Sequence, residues 1–248
     1  MYAQLTHSIG LNDVCDALGL LSGPLSSLRG ATPPNRNTLS HANKVPPADM
    51  AEQLFWAVLE HLGNRSPSFV SGHAGKRFAR KFKRTIDLVD STTIPLIASC
   101  LDWAKHRRRK AAAKCHLRLD LQSFLPRFAI VDTARHNDAK RARELCAGVK
   151  AGVFFKQIKQ TLQLADFLGT TANAVRWQVW TALLVYLLLR YLAFLSNWSH
   201  SFSRLFTLIR AALWKKWDVL SLLRCYGTAD GHFRYLAQPE QAYLPGWG

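Results

Sequence analysis

Asp90 is the residue whose type and setting most suggest chemistry. It closes the apolar, β-branched run 85–89 (T-I-D-L-V) and precedes three hydroxyl residues, Ser91, Thr92 and Thr93. Such a run reads as a strand. A carboxylate at a strand end can hold a divalent ion at a sheet edge. The same residue types also open turns, with Ser91 or Thr92 as the cap. His136, Asn137 and Asp138 follow another apolar run and precede a helical stretch. They read either as a polar cluster near Asp90 or as a helix start capped by Asp138. Cys115–His116 has no second ligand pair nearby at zinc spacing,.

Two basic runs flank this region. Residues 75–84 carry Lys76, Arg77, Arg80, Lys81, Lys83 and Arg84, interleaved with Phe78 and Phe82. Residues 105–110 read K-H-R-R-R-K and include Arg107, Arg108, Arg109 and Lys110. The whole chain of 248 residues holds 33 Lys plus Arg against 16 Asp plus Glu, a formal charge of +17. That excess points to a polyanionic partner, and lysine and arginine on phosphates supply affinity and salt dependence rather than base readout. A 48% share of hydrophobic residues excludes wholesale disorder and leaves enough apolar surface for a sizeable core,. The five cysteines are odd in number and form no C-x-x-C pair, which fits a reducing compartment,. Residues 1–10 lack the basic start and apolar run of a signal peptide, so a cytoplasmic location is expected,.

The elements that must position these groups follow from periodicity. Helices are predicted at 11–21 (with Asn12 as cap), 38–43 and 48–62,. In the last, Met50, Leu54, Val58 and Leu62 share a face with Ala51 and Phe55. Strands are predicted at 85–89, 113–120 and 126–131. The second alternates, with Cys115, Leu117 and Leu119 inward and Lys114, His116, Arg118 and Asp120 forming a basic, half-exposed outer face,. Helices follow at 139–146, 154–168, 172–195, 200–213 and 218–224. The greasy stretch 179–195 reaches the lower length limit of a bilayer span, but Arg190 interrupts it,. It reads as a buried core helix, with a membrane segment as the competing reading.

The segments IDLVDSTTI (86–94), AKCHLRLDLQSFLPRFAIVDTARHND (113–138) and FFKQIKQTLQLADFLGTTANAVRWQVWTALLVYLLLRYLAF (154–194) resemble the DDE transposases of bacterial insertion sequences, in the insertion-sequence-four-like group with a Tyr-Arg-Glu-Lys signature. RNTLSHANKVPPADMAEQLFWAVLEHL (36–62) resembles the amino-terminal domain of these proteins, and YGTADGHFRYLAQPEQAYLPG (226–246) their carboxyl end. The resemblance implies an α/β (α+β) fold with an RNase H-like core. Three antiparallel strands come first, then a helix, then a fourth strand. It further implies an amino-terminal helical domain at 1–67, the first half of the catalytic domain at 68–152, its late helices at 153–226 and a tail at 227–248.

In that family two aspartates and a glutamate hold two magnesium ions. Asp90 matches the first aspartate, and Lys159 matches the signature lysine, implied to contact a DNA phosphate. The glutamate position is Gly152, and no segment matches the strand with the second aspartate. This pattern implies an internal deletion near 148–153, loss of the fourth and fifth strands, an open sheet edge and loss of strand transfer. The implied partners are double-stranded DNA at the terminal inverted repeats of an element, and a second copy or an intact transposase. No membrane partner is implied, and the setting is the bacterial nucleoid. The competing role is a DNA-binding remnant that inhibits intact transposase.

Overall fold

A computed structural model of the chain describes residues 1–8, 10–27, 30–71, 87–96, 100–107, 110–133, 144, 152–154, 169–215 and 217–227. The chain divides into two units, Met1–Leu188 and Leu189–Gly248. The first begins with helices α1 (Tyr2–Thr6), α2 (Leu11–Leu20), α3 (Ser22–Ser26), α4 (Arg36–Lys44), α5 (Asp49–Arg65) and α6 (Pro67–Ser71). Side-chain caps set two of their starts. Asp13 Oδ2 accepts from the Gly10 amide at 2.9 Å, so Gly10 is the N-cap of α2 and the expected cap, Asn12, lies inside the helix,. Asn35 Oδ1 accepts from the Thr38 amide at 2.8 Å and opens α4 earlier than the apolar pattern alone suggested,.

In α5 the buried stripe is Ala51, Phe55 and Leu62. Met50 and Leu54, expected on the core face, are 54% and 51% exposed. The reason is aromatic packing. Phe55 sits 5.6 Å from the Trp180 ring and Trp56 6.1 Å from it, centroid to centroid. Seating these rings turns the stripe one residue along the helix.

The sheet of this unit holds, among the described residues, β1 (Asp87–Leu96), β2 (Lys105–Arg107), β3 (Lys110–Asp120), β4 (Pro126–Thr133) and β5 (Gly152–Phe154), with α7 (Leu101–Ala104) before β2. β1 pairs antiparallel with β3 from Asp87↔Asp120 to Leu96↔Ala111. On the other side of β3, β4 pairs antiparallel from Ala113↔Thr133 to Leu119↔Pro126, and β2 pairs with the start of β3. β1 was expected to stop before Asp90 and instead runs on to Leu96. Thr92, Thr93 and Ile94 are β-branched and favour the pleated surface over the turn that Asp-Ser-Thr suggested.

Two further expectations are corrected here. The open sheet edge that was expected is narrowed: β5 pairs in parallel with the first three residues of β1, as Asp87↔Gly152, Leu88↔Val153 and Val89↔Phe154, and does not extend along Asp90–Leu96. Val153 and Phe154 suit a strand, and a short extended segment satisfies backbone groups that an open edge would leave unpaired. The predicted helix start at 154 is therefore strand, and the rest of that helix, 155–168, lies outside the described residues, as does most of the one at 139–146. The outer face of β3 is also not exposed. Lys114, His116 and Asp120 are 7%, 1% and 4% exposed, close to Cys115, Leu117 and Leu119 on the opposite face, and Arg118 is half-buried. Both faces of the strand are covered.

α8 (Ala172–Leu195) has the bounds that periodicity predicts. Thr171 Oγ1 caps it by accepting from the Ala174 amide at 3.1 Å. Gly169 approaches it so closely that a Cβ there would stand 2.4 Å from Ala174 Cβ. Val175, Val179, Leu183 and Leu187 are wholly buried. α8 is the one helix among the described residues long and apolar enough to cross a bilayer, and 56% of its most apolar window is buried inside the protein. The second unit takes the end of α8 from Leu189 and adds α9 (Phe202–Ala212) and α10 (Val219–Gly227). Leu205, Phe206 and Ile209 of α9 and Leu222 and Leu223 of α10 are buried.

Candidate functional site

The backbone of Asp90 lies within β1, in register with Leu117 of β3. β5 runs beside it, and its last paired residue, Phe154, stands opposite Val89, one step before Asp90. Gly152 lies opposite Asp87. Positions 90 and 152 thus lie on neighbouring strands, whereas the sequence pattern runs 139–152 as helix. Position 152 offers no side-chain oxygen there.

Two other acids of the region, Asp120 and Asp132, make hydrogen bonds within the fold. Asp120 Oδ1 accepts from the Gln122 amide at 2.9 Å, the Ser123 amide at 2.8 Å and the Ser123 hydroxyl at 3.1 Å. Its Oδ2 takes a charge-assisted hydrogen bond from Arg127 Nη2 at 3.1 Å,. This carboxylate ties the β3–β4 turn, a role signalled only by Ser123 three residues on. Asp132 Oδ1 accepts from the Thr133 amide at 2.7 Å. Among the described residues no three His, Cys, Asp or Glu side chains stand together as an ion site. Magnesium coordination by a three-acid set therefore finds no fit among them. His136, Asn137 and Asp138 lie outside the described residues.

The described ends of the basic run 105–110 lie on the paired strands β2 and β3. Arg107 at the end of β2 is in register with Lys110 at the start of β3. Arg108 and Arg109 between them lie outside the described residues, as do Lys76, Arg77, Arg80, Lys81, Lys83, Arg84 and Lys159. Backbone topology thus carries the second basic run to the end of β3 that pairs with Leu96, opposite the end that pairs with Asp87.

A long-range junction that the motifs did not reveal fixes α8 against the amino-terminal helices. Asn173 Nδ2 donates to the carbonyls of Pro46 at 2.7 Å, Lys44 at 3.2 Å and Asn43 at 3.4 Å. Its Oδ1 accepts from the Ala48 amide at 2.8 Å. Trp177 Nε1 donates to the same Pro46 carbonyl at 2.7 Å. Nearby, burial raises the carboxyl of Glu52, opposed by its hydrogen bond with Trp56, while Asp49 raises it further and Arg176 lowers it,. On the sheet side, Tyr186 donates its hydroxyl to the Phe124 carbonyl at 2.8 Å, pinning α8 to the β3–β4 turn.

Over 110 residues the chain is 32% identical to the protein named "Putative transposase y4zB" of Sinorhizobium fredii (strain NBRC 101917 / NGR234). The aligned part is 42% of this chain and 31% of that relative, so the match spans about a third of the relative's length. This chain is thus related to a protein named as a transposase. No family model matches the chain. No solved structure matches it.

Proposed function

We propose that this chain is a DNA-binding protein of DDE-transposase descent, built on an RNase H-like sheet, that no longer performs strand transfer. The observation that carries the reading is the strand succession. β1, β3 and β4 form an antiparallel set, and after an intervening segment β5 joins β1, with Asp90 inside β1. The 110-residue relationship to a transposase-named protein supports it separately. Unit boundaries at 67, 152 and 226 are part of the same proposal.

The loss of chemistry follows from ligand count. Hard divalent ions need several oxygen donors, and in-line attack on a phosphodiester needs charge neutralised at both the entering and leaving oxygens. Asp90 is one acid, and Gly152 supplies no oxygen where the third would stand. What remains is a cationic protein whose basic runs, with Lys159, grip duplex DNA through phosphates. In the bacterial cytoplasm such a chain occupies element ends and, by pairing with an intact transposase, restrains it.

Titrating fluorescent duplex DNA against the full chain tests the reading. Affinity should fall about 100-fold between 50 and 200 mM salt if four or more phosphates are contacted. Replacing Lys76, Arg77, Arg80 and Lys81 by Gln should flatten that slope. An affinity indifferent to salt would overturn DNA binding. Cleavage of a plasmid bearing the element ends in magnesium or manganese, abolished by Asp90→Ala, would overturn the loss of catalysis.

A further inference from the structure

From the linker after α8 into the first turn of α9 the chain reads Trp198-Ser199-His200-Ser201-Phe202-Ser203-Arg204, with rings at 198, 200 and 202 and serines between. Residues 198–201 are not helical, and Ser201 is extended, with φ −61° and ψ 150°. The alternation therefore gathers its rings. Trp198 and His200 stand 5.1 Å apart, centroid to centroid, at 71°. The Arg204 guanidinium carbon lies 5.9 Å from the Trp198 centroid, and that of Arg190 5.8 Å from Phe202. Both distances are in cation–π range.

Hydrogen bonds hold the group in place. The Trp198 amide donates to the Ala193 carbonyl at 2.8 Å, closing the end of α8 behind Asn197 at φ 52°. Trp198 Nε1 donates to the Ser201 carbonyl at 3.1 Å, and Ser201 Oγ caps α9 at the Arg204 amide. Arg204 Nη2 donates to the Tyr226 carbonyl at 3.2 Å, which brings in the end of α10 with its exposed Arg224 and Tyr226.

The stretch 189–227 is mainly basic in sequence. The first turn of α9 holds no acid. Within 189–227 the acid is Asp218, against Arg190, Arg204, Arg210, Lys215, Lys216 and Arg224. Asp218 is engaged at the start of α10 through the Leu220 and Ser221 amides. A fitting partner is anionic and carries flat π faces. Duplex DNA keeps its base faces in the stack, whereas unpaired strands offer them to aromatic rings and guanidinium planes. We propose that the Trp198–Arg204 segment is a stacking site for an unpaired nucleobase, with Arg204 and Arg224 serving the flanking phosphates. An anionic lipid surface would share the charge and the aromatic chemistry. It is disfavoured because much of the apolar surface of α8 that would enter lipid is buried inside the protein. The site uses none of the residues of the basic runs, so it stands or falls apart from the duplex-binding reading.

Binding of the full chain to a labelled thymidine dodecamer, and to the same backbone without bases, tests the proposal. Trp198→Ala should weaken dodecamer binding about 10-fold, within the range of one lost stack, and leave the abasic strand unchanged. Trp198→Phe should stay within about threefold of wild type, because it keeps a ring while losing the indole donor. Should Trp198→Ala fail to fold, His200→Ala, on the exposed linker, should show the same base-dependent loss. Equal affinities for wild type and the ring-deleted variants would overturn the site. So would an equal loss on the abasic strand, or a loss seen only with phosphatidylglycerol vesicles.

Discussion

Strand β3 and the first part of helix α8 are both interior to the first unit, and they reach the interior by different physics. α8 arrives through apolar side chains, with Val179, Leu183 and Leu187 wholly buried. Its burial follows from transfer of hydrocarbon out of water. β3 buries Cys115, Leu117 and Leu119 on one face, yet Lys114, His116 and Asp120 on the other are buried too. Burying that second face costs free energy unless each polar group finds a partner. Asp120 shows how the cost is offset, since both of its oxygens accept hydrogen bonds. The contrast teaches that an alternating polar pattern records which residues share a face of a sheet. It does not record whether that face meets water.

Substitutions can break or sharpen this contrast. Leu183→Ala should have the largest effect, about 3–5 kcal/mol of lost stability in urea unfolding, because it opens a cavity in a helix face with no polar alternative. A cost under about 1 kcal/mol would mean that α8 is not the core element described here. Asp120→Ala should come next, at about 2–3 kcal/mol, since it strands two amides, a hydroxyl and Arg127,. Asp120→Asn, which keeps an acceptor, should recover part of the loss. If Asp120→Ala proves as mild as a surface change, the polar face of β3 is wet and the contrast with α8 disappears.

Asp218→Ala should be the smallest, about 1 kcal/mol, as the loss of a solvent-facing helix cap. Its pH dependence sharpens the scale. The hydrogen bond from the Ser221 hydroxyl holds the Asp218 carboxyl below its ordinary value of 3.8, with the Ser221 and Leu220 amides acting in the same direction and burial opposing. A carboxylate whose folded pKa is depressed stabilises the fold above its unfolded pKa and loses that contribution as pH falls through the folded one. The gap between wild type and Asp218→Ala should therefore be full at pH 7 and close as the pH drops below about 4. A gap that widens in acid would show that the carboxylate is not the cap.

Much of the element order was legible from local pattern. The bounds of α8 matched because its apolar run and the Thr171 cap are both local signals. β3 and β4 were placed by alternation and by a β-branched run, within a few residues of their ends. Asp90 was expected just past the end of a strand and lies inside it, because Asp-Ser-Thr favours turns in isolation and β structure when a neighbouring strand pairs with it. The candidate site was legible only as a list of residue types. That position 152 would come to lie beside β1 depended on pairing across more than sixty residues of chain. The Asn173 junction to residues 43–48 carries no motif, since a single asparagine reads the same in any polar helix start.

By itself, the order of amino acids determined the net positive charge, helices α2, α4, α5 and α8 to α10, strands β1, β3 and β4 in outline, the presence of one carboxylate at position 90 and the absence of one at 152. These are properties of composition and of short-range periodicity, which need no distant partner. Tertiary structure alone decided that α5 turns Phe55 rather than Leu54 inward, that β5 pairs with the first three residues of β1, that both faces of β3 are covered, and that Asn173 clasps the α4–α5 turn. Each of these depends on which remote segment removes water from a given surface, and that is a property of the packed chain as a whole.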